Sequence, residues 1–387
     1  MPDSFTTTST QGFFSRFLGS FVGILLGPVL VIAAIVLLSW NEGRAVQAIR
    51  GLAEASGVVV ETSADAVAPA NEGKLVHVVG KAEAAAPIQD SDLSLSFDNQ
   101  VAVDRTVEMY AWTEKKEEKT QDNTGGSQTT TTTYTYSKAW TESPADSSGF
   151  AHPEGHENPQ LPFASHKYSA SDAHLGGFTL DETTVGMIDA PTPLKPDAPD
   201  GWARSAGNLY KGENPAKPAV GDVRVHYTGM SSGTTVSVLA AQSHNGFAPY
   251  TTTNGYTIHL ARAGNAQASE MIKEQQQAEA FLTWILRAVG FVVMFAGFAM
   301  FFGPIATLAS VLPFLGTIVR GATSFFAFVL TIPVALITIA LAWLAFRPLI
   351  GGGILVLAAV FGYLLWRWHH GRSAPHVAAA AAAAAAH

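Results

Sequence analysis

Cysteine is absent from the 387-residue sequence, which excludes disulfides, thiolate metal sites and cysteine nucleophiles. Acidic residues are nearly absent from both ends of the chain, because Asp3 is the only one outside segment 41–280. That segment contains 30 acidic and 17 basic residues, so it also lacks the basic surface that nucleic acids require. We therefore expect no nucleic-acid partner.

Long apolar runs are abundant, by contrast, and the first covers residues 18–40. As a helix it would measure roughly 35 Å, enough to cross a bilayer. It is longer than the apolar core of a signal peptide and has no small-residue cleavage site, so we predict an uncleaved transmembrane helix. The preceding Ser- and Thr-rich residues 1–17 are expected to be disordered.

A second apolar block follows residue 280 and is divided by prolines. Pro304 ends a possible crossing at 281–303, and Arg347-Pro348 forms a turn between possible crossings at 322–346 and 348–368. Segment 304–320 is too short to cross and is predicted to be re-entrant or interfacial. The chain then ends in a low-complexity tail at 369–387. The sequence thus predicts four transmembrane helices.

Arginines near the apolar runs predict the orientation. If the N-terminus is cytoplasmic, Arg16, Arg320, Arg367 and Arg372 are inside and Arg347 is outside. The reverse orientation would place one inside and four outside. The positive-inside rule therefore predicts cytosolic termini and an extracytoplasmic segment 41–280.

Segment 41–280 is predicted to be rich in β-structure, because apolar and polar residues alternate along several short stretches. These stretches are 93–97, 101–112, 223–227, 235–239 and 256–260. The charged, Thr-rich stretch 115–140 is expected to be a flexible loop that returns as a strand near Tyr134. Ser269 is a candidate N-cap for a helix that continues into the second crossing. The predicted fold is an α+β membrane protein with a β-rich domain between helices 1 and 2.

Residues at the end of the first run match a membrane boundary. Trp40 suits the aromatic belt, and Asn41, Glu42, Gly43 and Arg44 suit the headgroup layer. The letters Asn-Glu-Gly return at 71–73, where they precede a strand with alternating residues around His77. The flanking residues do not match, so the two occurrences are boundaries and not an internal repeat.

Glycines at every fourth position mark one face of the first helix: Gly19, Gly23 and Gly27. Such a face lets another helix backbone approach closely. It predicts either association with another chain or packing against the protein's own later helices, and the sequence leaves both open.

Candidate metal ligands cluster in one short stretch, with His152, Glu154 and His156 close together and His166 ten residues further on. Zinc accepts such ligands, but a helix that would align the two imidazoles is disfavoured by Pro153 and the glycine at 155. We therefore favour a hydrogen-bonded loop and predict no metal and no cofactor. His77, His226 and His259 are interpreted as ordinary strand residues.

Ionisable residues are scarce in the C-terminal apolar block, which has no acid after Glu279. Arg287 lies near enough to a helix end to extend its charge to the interface. Carriers and proton channels usually keep charges inside their membrane helices, so this scarcity disfavours transport.

Several short motifs in register resemble the LUMA family (transmembrane protein 43). They are WNEGRA at 40–45, NEGKLVHVVG at 71–80, VEMYAW at 107–112, YTYSKAW at 134–140 and GHENP at 155–159. The resemblance implies four crossings and a large lumenal or periplasmic domain. In eukaryotic members it implies a link to nuclear-envelope organisation. The chain looks like the bacterial members, for which the resemblance implies no particular biochemical activity.

The expected function is that of a non-catalytic membrane scaffold, which forms a homo-oligomer or binds another membrane protein. A channel or channel accessory assembled through the glycine face is the first alternative, and a metal-dependent hydrolase at His152 and His156 is the second. The expected location is a bacterial inner membrane with a periplasmic domain. The alternative is the endoplasmic reticulum or inner nuclear membrane with a lumenal domain.

Overall fold

The computed structural model describes residues 3–346, together with Val360, Tyr363 and Arg367. The chain divides into two compact units. The first contains Met1–Phe17, Gln47–Glu279 and Thr307–Thr317, and the second contains Leu18–Val46, Ala280–Ala306 and Ile318–His387. Apart from those three residues, the predicted crossing at 348–368 and the tail at 369–387 lie outside the described part of the chain.

Three of the helices in the described residues are long and apolar enough to cross a membrane. The spans are Phe13–Val58, Ala268–Phe301 and Phe314–Phe346. The helices are α1 (Phe13–Val58), α2 (Glu182–Gly186), α3 (Ala268–Phe301), α4 (Gly303–Ala309) and α5 (Pro313–Phe346). These helices and a large β-rich domain confirm an integral membrane protein of the α+β class.

The strands of the described chain fall into two large sheets and two small ones. In chain order they are β1 (Asp3–Gln11), β2 (Val60–Ser63), β3 (Leu75–Glu83), β4 (Ile88–Asp90), β5 (Leu95–Phe97), β6 (Gln100–Asp122), β7 (Gln128–Thr141), β8 (His166–Ser169), β9 (His174–Leu175), β10 (Phe178–Thr179), β11 (Thr192–Leu194), β12 (Ala203–Ser205), β13 (Asn208–Lys211), β14 (Val223–Ser231), β15 (Thr234–Ser243), β16 (Gly246–Ala248), β17 (Tyr250–Thr251), β18 (Thr257–Ile258) and β19 (Leu260–Ala263).

The eight-stranded sheet has the order β1-β7-β6-β14-β13-β12, with β11 paired to β14 and β8 paired to β6. The seven-stranded sheet has the order β10-β9-β3-β15-β16, with β19 paired to β15 and β2 paired to β3. The β2–β3 pairing is parallel. The hairpins β4–β5 and β17–β18 form separate small sheets.

The two large sheets enclose one hydrophobic core. Val76 and Val78 of β3 contribute to it from one sheet, and Val107 and Val225 from the other. Because successive side chains of a strand point to opposite faces, Leu75 and His77 lie on the other face of β3. On that face Leu75 belongs to a second, smaller core, together with Leu52 and Ala55 of α1 and Met271 and Ile272 of α3.

The second unit has a small core of its own between its helices. Ala34 and Leu38 of α1 pack there with Met294 of α3 and Ala335 of α5. Alanine and leucine suit this position because they fill the space between closely packed helices without placing a polar group in it.

Two regions expected to be disordered or flexible are instead strands. Residues 3–11 form β1, which pairs with β7 from Asp3–Tyr136 to Gln11–Gln128. The Thr-rich stretch continues β6 and begins β7, and only 123–127 forms a turn. Threonine is β-branched and favours extended backbone, and each threonine from 129 to 133 pairs with strands on both sides. The low-complexity composition of this stretch gave no local signal that it would pair as a strand.

The N-terminal strand also bears on the predicted orientation. Positive-inside reasoning places the N-terminus across the membrane from the β domain, but Asp3 pairs with Tyr136 of that domain. At the other end of β1, Gln11 pairs with Gln128 beside the β6–β7 turn. Arg16 forms a buried ion pair of 3.0 Å with Asp122, the last residue of β6 before that turn. Arg16 also donates a 2.5 Å hydrogen bond to the Gly126 carbonyl.

The segment predicted to be re-entrant, 304–320, contains α4 and the first turns of α5. The third long helix therefore begins at Pro313 and not at 322, because proline is tolerated at the first position of a helix. Similarly, α3 begins at Ala268, so Ser269 lies inside the helix and is not its N-cap.

Candidate functional site

One polar site in the second unit, which we call the helical unit, consists of Glu42, Arg287 and Trp343, and we name this site the charge junction. Arg287 donates from Nε and Nη2 to the two carboxylate oxygens of Glu42, at 2.7 and 2.8 Å. Trp343 Nε1 donates to the same carboxylate at 2.7 Å. Since α1, α3 and α5 each supply one residue, the charge junction connects all three long helices.

Burial distinguishes the charge junction from a surface ion pair. The Glu42 side chain is 1% exposed and that of Arg287 is 19% exposed. Arg287 also lies over the ring of Trp284, with its guanidinium carbon 4.8 Å from the centroid. The Glu42 carboxylate accepts three hydrogen bonds from side chains on two other helices, an arrangement that suits a structural link between helices.

Neighbouring residues of α1 extend this network. The Asn41 side-chain amide donates to the Thr283 carbonyl at 3.1 Å, and Arg44 donates to the Thr283 hydroxyl at 3.2 Å. A Cβ added to Gly43 would lie 2.7 Å from the Phe346 ring, so this glycine allows α5 to approach.

The sequence did not predict the burial and pairing of these residues. Asn41 and Glu42 are fully buried in the protein, whereas Trp40 is largely exposed. Arg287 pairs with Glu42, and the position of both groups relative to the headgroup layer stays a prediction. A lone arginine in one apolar run and a lone acid at the end of another could have suggested this pair, since buried membrane charges usually have partners.

The glycine face of α1 packs on α3 of the same chain. A Cβ at Gly23 would lie 2.5 Å from the Met300 carbonyl oxygen, and one at Gly27 would lie 2.6 Å from the Gly297 carbonyl oxygen. At Gly19 such a Cβ would have no described atom of the protein within 4 Å. The sequence left open whether these glycines pack against another chain or against the protein's own helices. Gly23 and Gly27 pack against the protein's own α3.

The candidate metal loop is built around a buried imidazole. His156 is 3% exposed, and its ring stacks on Tyr136 with 3.9 Å between centroids. Its Nδ1 lies 2.9 Å from the His152 carbonyl oxygen. Its Nε2 lies 3.3 Å from an Asp3 carboxylate oxygen but without hydrogen-bond geometry. The His152 ring stacks on Phe5 at 4.4 Å.

Other residues of this loop attach it to β6 and β7. The Asn158 side chain pairs with the Trp112 backbone, accepting from its N–H at 2.7 Å and donating to its carbonyl at 2.9 Å. Glu114 accepts hydrogen bonds from the Tyr136 hydroxyl and the Ala151 N–H. Burial, together with the bond to Glu114, raises the pKa of Tyr136. The Asn158 side chain makes with Trp112 the two backbone hydrogen bonds that a neighbouring strand would otherwise make.

The structure does not bring the candidate ligands into one metal site. Glu154 is exposed, and His166 lies at the start of β8. In residues 3–346, no three His, Asp or Glu side chains are grouped so that they could hold a metal ion.

The interior of the β domain contains a polar cluster that the sequence analysis missed. Arg105 donates to Asp90 at 2.6 Å and to Asp92 at 2.7 Å, and the Tyr227 hydroxyl donates to Asp90 at 2.5 Å. Burial would raise the pKa of Asp90, but the hydrogen bonds from Tyr227 and Arg105 outweigh it and lower that pKa. The cluster joins β4, β6 and β14.

A hydroxyl between an acid and an imidazole superficially resembles a nucleophile triad. Thr184 bonds to Asp181, and its hydroxyl lies 2.9 Å from His259 Nε2. In a catalytic triad, however, the acid orients the imidazole, whereas Asp181 bonds to the threonine and caps α2. Burial lowers the pKa of His259, partly offset by the charge of Asp181. His226 is bonded to Asn208 at 3.2 Å.

Comparisons with known proteins agree on one family. The family model described as Transmembrane protein 43 matches residues 109–348. Transmembrane protein 43 of Rattus norvegicus is 32% identical over 361 residues, covering 89% of each chain. The Homo sapiens protein is 31% identical over 360 residues, again 89% of each. The Drosophila melanogaster homolog is 28% identical over 352 residues, 87% of this chain and 92% of its own. No solved structure matches.

Proposed function

Because the chain belongs to the transmembrane protein 43 family, we propose that it is a non-catalytic membrane scaffold whose β-rich domain binds a second copy of itself. We propose an extracytoplasmic position for the domain, which is the position that the family resemblance implies, with β1 on the same side as the sheet to which it is paired. It would be periplasmic in a bacterial inner membrane, or lumenal in the endoplasmic reticulum or inner nuclear membrane.

The observation that carries this proposal is the open edge of the eight-stranded sheet. Among the described residues β1 is the edge strand of this sheet and pairs only with β7, and all nine of its residues are exposed. Natural proteins usually protect a long edge with proline, lysine or a bulge, because unpaired N–H and C=O groups recruit other strands. Residues 3–11 contain no proline and no lysine.

The sequence of β1 favours a second copy as the occupant of this edge. In an antiparallel pair centred on Thr7, Asp3 lies opposite Gln11 and Phe5 lies opposite Ser9. No like charges face each other, and the remaining pairs join hydroxyls, which stabilise sheets across strands. At about 3.3 Å per residue, the shared edge would extend for roughly 30 Å.

The rest of the structure supports a binding role over the two alternatives. Two of the three glycines on the face that a channel would use, Gly23 and Gly27, pack against α3 of the same chain. The histidines proposed for a hydrolase are engaged in ring stacking and in a hydrogen bond to the backbone. We therefore propose neither a channel nor a hydrolase.

The test uses the absence of native cysteine. In the proposed pair Thr7 faces its own copy with Cβ atoms about 5 Å apart, close enough for a disulfide after a small shift. Thr7→Cys should form covalent dimers on mild oxidation in native membranes. Thr132→Cys is the matched control, because Thr132 lies on β7, between β1 and β6, where it cannot reach a second copy.

Native mass spectrometry of the unmodified protein, extracted gently, completes the test. A homo-oligomer together with Thr7→Cys crosslinking supports the proposal. A monomer, a complex with a different protein alone, or an oligomer that Thr7→Cys does not crosslink would overturn it.

A further inference from the structure

Two Asn–Gly dipeptides occur in the chain, and both lie at turns of the β domain. Asn245–Gly246 joins β15 to β16, and Asn254–Gly255 lies between β17 and β18. Asparagine followed by glycine cyclises more readily than other asparagine dipeptides, because glycine has no Cβ to hinder the approach of its nitrogen to the side chain. Neither dipeptide belongs to β1, so their chemistry does not depend on the proposed self-assembly.

The side chain of Asn245 is exposed and unrestrained. Within residues 3–346 its amide makes no hydrogen bond. The Asn245 carbonyl oxygen, by contrast, accepts two hydrogen bonds from Thr179, from the N–H at 2.7 Å and from the hydroxyl at 3.1 Å. Donors to a carbonyl oxygen stabilise negative charge on it, which favours loss of the proton from the Gly246 nitrogen.

The Gly246 nitrogen lies at the end of a short ladder. Gly246 pairs with Ser243 as the pair nearest the turn, and β16 has three residues. Terminal pairs of short strands open at little cost in free energy. The nitrogen therefore reaches the Asn245 side-chain amide without unfolding of the sheet.

Asn254 has the same following residue but a different environment. Its Nδ2 donates to the Gln47 carbonyl at 2.7 Å. Its Oδ1 accepts from the Thr252 hydroxyl at 2.6 Å and from the Tyr256 N–H at 3.2 Å. The Gly255 N–H donates to the Thr252 carbonyl at 2.9 Å. The Asn254 carbonyl also accepts a hydrogen bond, from Gln47 at 2.9 Å, so the two sites differ chiefly in how the asparagine side chain is held.

From this contrast we propose that Asn245 is a site of spontaneous deamidation and that the fold protects Asn254. In the reaction the deprotonated Gly246 nitrogen attacks Asn245 Cγ. The new N–Cγ bond replaces the Cγ–Nδ2 bond, and the side-chain nitrogen leaves as ammonia with the proton that Gly246 lost. Water then opens the succinimide ring at either carbonyl and yields aspartate or isoaspartate.

The product places a carboxylate in a part of the domain that already contains one. The Glu72 carboxylate accepts from the His244 N–H at 3.1 Å, one residue before the modified position. Isoaspartate also lengthens the backbone by a methylene and so displaces the Gln242–Phe247 pair. Phe247 stacks on Phe178 in the main core, with 5.0 Å between centroids. Deamidation therefore loosens this edge of the seven-stranded sheet as the protein ages.

Peptide mapping by mass spectrometry tests the proposal on the full-length protein, incubated in a neutral detergent and a mildly alkaline buffer. Conversion at Asn245 should be about tenfold or more faster than at Asn254, whose side-chain hydrogen bonds must break first. With the β domain unfolded in guanidinium chloride, the two sites should convert at similar rates, because both are then free Asn–Gly dipeptides.

Two variants separate the sites. Asn245→Gln should abolish conversion at position 245 and leave Asn254 unchanged, because the longer side chain forms its ring much more slowly. Thr252→Val removes the hydroxyl that holds Asn254 Oδ1 and keeps a side chain of similar shape. It should speed conversion at Asn254 and leave the rate at Asn245 unchanged.

Three results would overturn the proposal. In the first, Asn254 converts as fast as Asn245 in the folded protein. In the second, neither site converts in the folded protein although both convert in guanidinium chloride. In the third, the difference in rate persists in guanidinium chloride, which would assign it to the flanking residues and not to the fold.

Discussion

The charge junction makes the most stringent prediction, because it joins three helices through one carboxylate. Glu42→Ala would leave the Arg287 guanidinium in the helical unit without its counter-ion and the Trp343 N–H without its acceptor. Removing one partner of a buried pair costs about 3–5 kcal/mol of unfolding free energy. Most of that cost comes from the charge that stays behind.

A double-mutant cycle separates this effect from loss of packing. Arg287→Ala should also destabilise strongly, because Glu42 is then the unpaired charge. The double variant removes both charges, so it should be about 2–3 kcal/mol more stable than the sum of the single effects predicts. Unfolding in mixed micelles, followed by far-UV circular dichroism, measures all four proteins without relying on Trp343 fluorescence.

An exposed ion pair of equal length is the control. Lys115 and Glu117 are 2.7 Å apart on β6, but their side chains are 74% and 57% exposed. The corresponding cycle with alanine should show no measurable coupling, because solvent screens the pair. If Glu42 and Arg287 are also additive within about 0.5 kcal/mol, the reasoning from burial is refuted.

Contacts in the helical unit and in the β domain support three other predictions. Gly23→Ala should destabilise the helical unit by about 1–3 kcal/mol, because its Cβ would overlap the α3 backbone. Gly19→Ala should have little effect. Equal effects of the two substitutions in the same unfolding assay would contradict the close approach of the helices. The folded pKa of Asp90 lies below its unfolded value of about 3.9, so this group stabilises the domain above that pH and the contribution is lost as the pH falls through the folded pKa. Unfolding midpoints from neutral to acidic pH should therefore decline less steeply for Asp90→Asn, and parallel profiles would argue against the assignment. Finally, Ser4→Cys should react with a membrane-impermeant thiol reagent from the same side as Ser171→Cys, because Ser4 pairs with Thr135; labelling from opposite sides would separate β1 from the domain and overturn the edge-strand proposal.

Parts of the candidate site were visible in the sequence and parts were not. Gly23 and Gly27 were identified from spacing alone, because helical periodicity is a local property. The pairing of Glu42 with Arg287 was missed, since 245 positions separate them and only helix packing brings them together. The same holds for Asp90 and Tyr227, which are 137 positions apart in the chain.

The Thr-rich stretch shows why composition can mislead. Residues 129–133 have no apolar alternation, so the sequence predicted a flexible loop. Their order comes from pairing on both sides, with β6 beside them in sequence and with β1 at the start of the chain. A strand stabilised mainly by its neighbours leaves only a weak local signal.

The sequence by itself determined the membrane character, the β-rich middle and the end of α3 just before Pro304. These features depend on local hydrophobicity and on the backbone preferences of single residues, so they can be read within about twenty positions. The tertiary structure alone decided which polar groups are buried, which of them pair, and which nitrogen of His77 has no partner in the described protein. Those properties depend on contacts between distant segments, and burial determines their energies.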